Sequence, residues 1–202
     1  MSSEPTAFVV DDDESVRTGI EILLKSVGIK VETYASGVAF LESYDPFQPG
    51  CLIVDVRMPE ISGLELQKKL NMLDYTIPVI IVTGYGNVPM SVQAMVEGAV
   101  VFLEKPLEEQ ALLESVQKAF SMDAQARKEW TEQAAIKERL GRLSQREREV
   151  LNLVVTGRGN KTIAYELGIS EKTIDFHRAN IKKKLDIDSV AELVRIVGAS
   201  KP

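Results

Sequence analysis

The sequence predicts a doubly wound α/β domain with a five-stranded parallel sheet, followed by an all-α module of four helices. Three observations predict it. Five short apolar runs alternate with helical patterns over the first 120 residues. Neither Pro nor Gly interrupts residues 108–140, where Ala, Glu, Gln, Lys and Arg dominate. Beyond Gly141 the apolar pattern is purely helical.

The strands are expected at Ala7–Val10, Val31–Tyr34, Cys51–Val54, Pro78–Thr83 and Val100–Leu103. Three of these runs are nearly all apolar and rich in β-branched residues, as strands covered on both faces require. Helices are expected between them, at Ser15–Val27, Gly37–Ser43, Gly63–Leu73, Val88–Glu97 and Leu107–Phe120. In the last of these, Leu112, Val116 and Phe120 recur every fourth residue and face the sheet. Past Phe120 the apolar residues thin to Ala124, Trp130, Ala134, Ile136 and Leu140. The helix therefore either runs on or restarts as a charged linker ending near Gly141; a flexible Gly/Ser linker is excluded by composition. Trp130 and Cys51 read as packing residues. The expected division is a first domain over 1–121, a helical linker over 122–141 and a second domain over 142–202.

In the second domain, Ser144-Gln-Arg-Glu147 has capping-box spacing ahead of Val150, Leu151 and Val154. Gly157 and Gly159 end that helix. Lys161–Leu167 reads as a short second helix, Gly168-Ile-Ser170 as a tight turn, and Glu171–Leu185 as a third helix with Ser170 at its N-cap. Ser189–Val197 makes a short fourth. Two helices joined by a three-residue turn containing Gly have helix-turn-helix form.

Composition bounds the function. With 45% apolar and 27% charged residues in 202, the chain can bury a core, which excludes disorder and low complexity. No apolar run approaches the roughly 18 residues of a membrane span. The N-terminus lacks a basic region followed by an apolar core, so no secretory signal and a cytoplasmic location are expected. One Cys and one His leave a His/Cys metal site without ligands. Residues 1–122 carry 8 basic and 18 acidic side chains, whereas residues 123–202 carry 16 and 12. That split fits two modules with different partners, the basic one meeting nucleic acid.

Asp11, Asp12 and Asp13 follow the first strand, and Asp55 follows the third. Ligands of open parallel sheets bind beyond the carboxyl ends of the strands, where strand order reverses. If strands 1 and 3 are neighbours, Asp11, Asp12 and Asp55 converge there, and carboxylates that close call for a cation or a proton. A hard divalent ion such as Mg²⁺ suits carboxylates, a carbonyl and retained waters. Thr83 ends strand 4, and Lys105 follows strand 5 ahead of Pro106. Carboxylates, a metal, a hydroxyl and an ammonium together describe a phosphoryl site with Asp55 as nucleophile.

Val10-Asp-Asp12, Val54-Asp-Val-Arg-Met-Pro59 with Gly63, Val82-Thr-Gly84 and Lys105-Pro106 resemble, in order and spacing, the motif set of two-component response-regulator receiver domains, whose fold is CheY-like. The resemblance implies Asp55 as phosphoacceptor and Mg²⁺ (or Mn²⁺) bound by Asp12, Asp55 and the Arg57 carbonyl, with Asp11 acting through water. It implies Thr83 and Lys105 as phosphoryl contacts, Phe102 as the aromatic switch, and a cis peptide at Lys105–Pro106. It also implies a protein that accepts and slowly hydrolyses its own aspartyl phosphate without being a dedicated enzyme. Residues 83–99 are especially similar to the FixJ subfamily, from which Val101 departs, since an acidic residue is usual there. A haloacid-dehalogenase-like phosphatase would need a carboxylate where Arg57 stands. A flavin binder would need a Ser/Thr-rich phosphate loop where the three aspartates stand.

The span from Leu143-Ser-Gln-Arg-Glu-Arg-Glu-Val-Leu151 through Asn160-Lys-Thr-Ile-Ala164, Leu167-Gly-Ile-Ser170 and His177-Arg178 resembles the LuxR-type DNA-binding domain. Between Arg158 and Leu185 there are seven Lys/Arg against three acids, and neutralising phosphates supplies non-specific affinity. Ile163, Ala164, Leu167, Ile174, Ile181 and Leu185 are spaced as core. The resemblance makes Asp175, Phe176 and Ala179 the base-facing group. Lys161, Lys172, Arg178 and Lys182 are then phosphate contacts, with Thr173 and His177 on the same surface. His177 lacks a partner for acid–base work, so no catalytic role is assigned to it. Asp175 either accepts a hydrogen bond from a base or pairs with Lys172 or Arg178. The other reading of this half is a helical protein-interaction module. The implied partners are a sensor histidine kinase, double-stranded promoter DNA, a second copy of the chain after phosphorylation, and RNA polymerase; no membrane is implied.

Overall fold

The computed structural model describes residues 4–72, 77–84, 88–187 and 192–193. The chain divides into two compact units, Met1–Arg127 and Lys128–Pro202. Among the described residues no helix is long and apolar enough to cross a membrane.

The first unit holds strands β1 (Thr6–Val10), β2 (Lys30–Tyr34), β3 (Gly50–Asp55), β4 (Val79–Thr83) and β5 (Val101–Glu104). They form one sheet in the order β2-β1-β3-β4-β5, every pair parallel. Strands β1 and β3 are thus central neighbours, and order reverses between them. Strands β1, β3 and β4 are buried along their whole length, which their unbroken apolar runs anticipate. The helices are α1 (Glu14–Ser26), α2 (Gly37–Ser43), α3 (Gly63–Leu70), α4 (Val88–Val96) and α5 (Glu109–Gly141).

Because side chains alternate along a strand, the sheet sorts its apolar residues into two layers. Ala7, Val9, Cys51, Ile53, Ile80 and Val82 pack with Ile20 and Leu24 of α1 and with Leu112, Val116 and Ala119 of α5. Phe8, Val10, Leu52, Val54, Val79 and Ile81 pack with Phe40, Leu66, Leu70 and Ala94 of α2, α3 and α4. Side chains start the helices: Asp13 caps α1 through the Ser15 N–H, Ser36 caps α2, and Ser62 with Glu65 closes a capping box on α3. Helix α3 stops at Leu70, three residues before the expected Leu73, with Asn71 as its C-cap. Gln67 and Asn71 donate to the carbonyls of Ala94 and Glu97, fixing the C-terminal end of α4.

Helix α5 runs without a break through the residues expected as a linker. Asp123 is buried and accepts from the Gly50 N–H at 3.1 Å and from Arg127 Nε at 2.8 Å. The Arg127 guanidinium also donates to the carbonyls of Pro46, Phe47 and Gln48. Contacts of the first unit therefore reach Arg127. Trp130, expected to pack, is 42% exposed. Its neighbours on α5 are too polar to build an apolar face, and Ile136 and Leu140 are the α5 residues that join the second core.

The second unit contains α6 (Gln145–Val154), α7 (Asn160–Leu167) and α8 (Glu171–Leu185) around a core of Leu143, Val150, Leu151, Ile163, Ile174, Ile181 and Leu185. Leu167 is partly buried against it. The fourth helix expected at Ser189–Val197 lies outside the described residues except at Glu192 and Leu193, and Leu193 is buried in this core. Ser144 and Glu147 form the expected capping box of α6. Burial pushes the Glu147 carboxyl up, but hydrogen bonds from Lys184 and Ser144 outweigh it and hold the group below its ordinary 4.5.

Replacing Arg127 with Ala in residues 1–130 leaves Asp123 buried without its cation. The urea midpoint should fall by an amount equivalent to about 3 kcal/mol, within the range for breaking a buried pair. Glu147, whose folded-state value is lowered, contributes stability above pH 4.5 that is lost as pH falls through the lowered value. Melting of the second unit followed from neutral pH down to about pH 3 should show that loss in the wild type and a smaller one in Glu147→Gln.

Candidate phosphoryl site and nucleic-acid interface

The carboxyl ends of the strands bring four of the expected residues to one rim. Asp55 ends β3 and Asp11 follows β1; they are 6% and 2% exposed. Thr83 ends β4 and is buried, and Lys105 follows β5. Lys105 Nζ lies 2.6 Å from Asp11 Oδ2 and 2.7 Å from Asp55 Oδ1, so one ammonium serves two carboxylates. The second oxygen of Asp55 accepts from the Arg57 N–H at 2.5 Å. Asp11 Oδ1 accepts from the Asp13 N–H at 2.9 Å. Burial pushes the Asp11 carboxyl up, against the pull of Lys105. Burial pulls the Lys105 ammonium down, but its bonds to Asp11 and Asp55 outweigh that and hold it above the ordinary lysine value.

Asp12 is exposed. Among the described residues no group of three or more His, Cys, Asp or Glu is assembled to hold a metal ion. The cation between Asp11 and Asp55 is the Lys105 ammonium. The peptide Lys105–Pro106 is cis, as the resemblance implied. Phe102 is half-buried on the layer of α2, α3 and α4, whereas its neighbour Val101 packs on the opposite layer. Of the segment 83–99, residues 85–87 lie outside the described residues.

One contact of this rim leaves no signal in the sequence, and one motif residue gains its physical reason only in the structure. Arg17 on α1 donates to the Asp11 carbonyl at 2.6 Å, a backbone contact that leaves no side-chain pattern. Gly63 starts α3 with its N–H on the Val56 carbonyl, and a Cβ there would lie 2.2 Å from the Asp55 carbonyl oxygen. A glycine is therefore required where α3 closes against the Asp55 backbone.

In the second unit, Gly168 ends α7 in the left-handed conformation, φ +65°, and Ser170 caps α8 through the Thr173 N–H. Lys161, Lys172, Asp175, Ala179 and Lys182 are exposed, as is Phe176 at 63%. Thr173 and Arg178 are half-buried, and the Thr173 hydroxyl bonds the Ser170 hydroxyl. His177 is half-buried with its ring edge-on to Phe176, and its buried Nδ1 has no hydrogen-bond partner. Asp175 makes neither of the pairings considered within its own helix. It accepts from Asn160 Nδ2, at the start of α7, while Asn160 Oδ1 accepts from Arg178 Nη1 at 2.9 Å. Asn160 stands in the motif Asn160-Lys-Thr-Ile-Ala164, and the residue type alone does not reveal this bridge.

The family model of the response regulator receiver domain matches residues 7–117, and that of the bacterial regulatory proteins of the luxR family matches residues 141–197. The chain belongs to the two-component response regulators of the FixJ/NarL type. The transcriptional regulatory protein FixJ of Azorhizobium caulinodans is 44% identical over 196 residues, 97% of this chain and 93% of its own length. The low-resolution structure of the response regulator StyR is 45% identical with a TM-score of 0.86, covering 97% of this chain and 99% of that one. Full-length FixJ from B. japonicum matches at 37% identity and a TM-score of 0.58, with 98% of both chains covered. This response regulator thus joins a receiver domain, which works with a histidine kinase, to a DNA-binding domain, and it is a transcriptional regulator, not a dedicated enzyme.

Gly63→Ala forces a Cβ into the Asp55 carbonyl and should cost about 1–3 kcal/mol in urea unfolding, the range for overpacking. Gly19 lies on α1 with nothing within 4 Å of a built Cβ. Gly19→Ala should instead raise stability by about 0.5–1 kcal/mol, as expected for Gly replaced in a helix interior.

Proposed function

We propose that a partner histidine kinase phosphorylates this regulator on Asp55, and that phosphorylation drives dimerisation and promoter binding in the cytoplasm. One observation carries the reading: two buried carboxylates from adjacent central strands share a single ammonium from a third. That arrangement holds both Asp55 oxygens in fixed positions, one on Lys105 and the other on the Arg57 N–H. An Asp55 oxygen attacks phosphorus, the O–P bond forms, and the P–N bond to the phosphohistidine of the kinase breaks with the imidazole as leaving group. Lys105 moves from Asp55 to an oxygen of the transferred group, and the Thr83 hydroxyl meets another. Slow hydrolysis of the same bond by water resets the protein.

The oxygen-only donor set of Asp11, Asp12, Asp55 and the Arg57 carbonyl fits a hard divalent ion. Bound there, Mg²⁺ or Mn²⁺ would neutralise negative charge on the phosphoryl group. Thr83 and Phe102 stand on β4 and β5, next to the α4–β5 face, whose Val92 and Met95 are exposed. Dimerisation through that face, with Val101 at its edge, would place two recognition helices on one duplex. RNA polymerase is the downstream partner.

With Mg²⁺ and a small phosphodonor, the wild type should gain one phosphoryl group that hydroxylamine removes, and Asp55→Asn should gain none. Asp12→Ala should weaken Mg²⁺ binding. Sedimentation should show phosphorylated protein dimerising at tens of micromolar, a weak-affinity regime. Equal labelling of Asp55→Asn would sink the assignment, and a phosphorylated monomer would sink the dimer.

A further inference from the structure

Asn160 occupies the first position of α7, where the N-cap, Gly159, has no side chain to bond the helix end. The Asn160 amide does not cap the helix. It reaches across to α8, donating from Nδ2 to Asp175 and accepting at Oδ1 from Arg178. An amide offers a donor and an acceptor on one rigid plane, so it can join a carboxylate to a guanidinium. Its orientation is determined: reversed, its oxygen would face the Asp175 carboxylate and its NH₂ would face the Arg178 guanidinium. Asp175 and Arg178 lie three residues apart on α8, with Phe176 and Ala179 exposed beside them.

We propose that Asn160 is a specificity-positioning residue, which holds Asp175 and Arg178 of the recognition helix as one hydrogen-bonded unit and so sets which base Asp175 accepts from. The proposal rests on the reading of α8 as the helix that meets DNA. An exposed carboxylate among phosphates is repelled and free to rotate. Two of its needs are met by Asn160: one oxygen is anchored, and the cation of Arg178 is kept close. The side chain is exposed, and its other oxygen is able to accept from cytosine N4 in the major groove. Asn160 then affects sequence preference without touching a base.

The test is selection from random duplex DNA by the full-length phosphorylated protein, with melting temperatures measured for each variant. Asn160→Ala should flatten preference at one base pair, by about tenfold for a good contact. Asp175→Ala should flatten the same base pair, and the double variant should add nothing further. Asn160→Ala removes no charge, so the salt dependence of binding should stay as in the wild type. The charge-conserving swap Asn160→Asp with Asp175→Asn keeps the bridge to Arg178, and it should recover a defined preference at that position even if Asn160→Ala folds poorly. A base profile in Asn160→Ala identical to that of the wild type, while Asp175→Ala changes it, overturns the proposal and leaves the DNA-binding reading intact. A swap variant no more selective than Asn160→Ala also overturns it. Absence of DNA selection by the wild type overturns both readings together.

Discussion

One ammonium shared by two buried carboxylates constrains the receiver more than any other contact. Asp11 and Asp55 stand at the ends of adjacent strands with little water around them, and at such spacing two bare carboxylates repel strongly. Lys105 comes from beyond β5, two strands away from β3, a span of roughly 10 Å at ordinary strand spacing. A long, flexible cation is suited to that reach; a short side chain is not. The requirement propagates outward. Strand order must put β1 beside β3, β5 must lie on the same side as β4, and the backbone after β5 must turn back over the rim. Gly63 allows α3 to close beneath the Asp55 carbonyl, and Arg17 fixes the Asp11 carbonyl from above. The phosphoryl chemistry proposed for this site would exchange one partner of the ammonium for another.

Much of this was legible in the sequence because it depends on local pattern. Buried strands announce themselves as unbroken apolar runs, and the caps at Ser144 and Ser170 as a hydroxyl ahead of a helical period. The convergence of Asp11, Asp55, Thr83 and Lys105 follows from strand ends once β1 and β3 are neighbours. What stayed hidden has a common cause. Asp11, Asp12 and Asp13 are identical in type and adjacent, yet one is buried against Lys105, one is exposed and one caps α1. Arg127 grips carbonyls about eighty positions earlier in the chain, and backbone acceptors carry no residue-type signal. Trp130 reads as core by composition, and it is exposed because nothing at helical spacing around it is apolar enough to form a face.

The second unit meets the same problem with smaller means. Its apolar core positions α8 through Ile174, Ile181 and Leu185, and two cationic side chains tie the helices from their ends. Lys184 reaches the buried Glu147 of α6 at 2.7 Å, and Arg146 of α6 donates to the Leu167 carbonyl at the end of α7. On α8 itself, Asp175 and Arg178 are joined through Asn160 of α7.

Helix α4 differs from every other receiver helix in how it is held. Ala94 is its one fully buried residue, whereas α3, a residue shorter, buries four. Its C-terminal end is gripped by the amides of Gln67 and Asn71, with Lys68 pairing to Glu97 just beyond the helix. Val88 and Val92, toward its other end, are exposed. Free energies of local opening follow buried contacts, so α4 is the helix that a small change at the rim can displace at least cost. Anchoring at one end turns such a displacement into a pivot, not a translation.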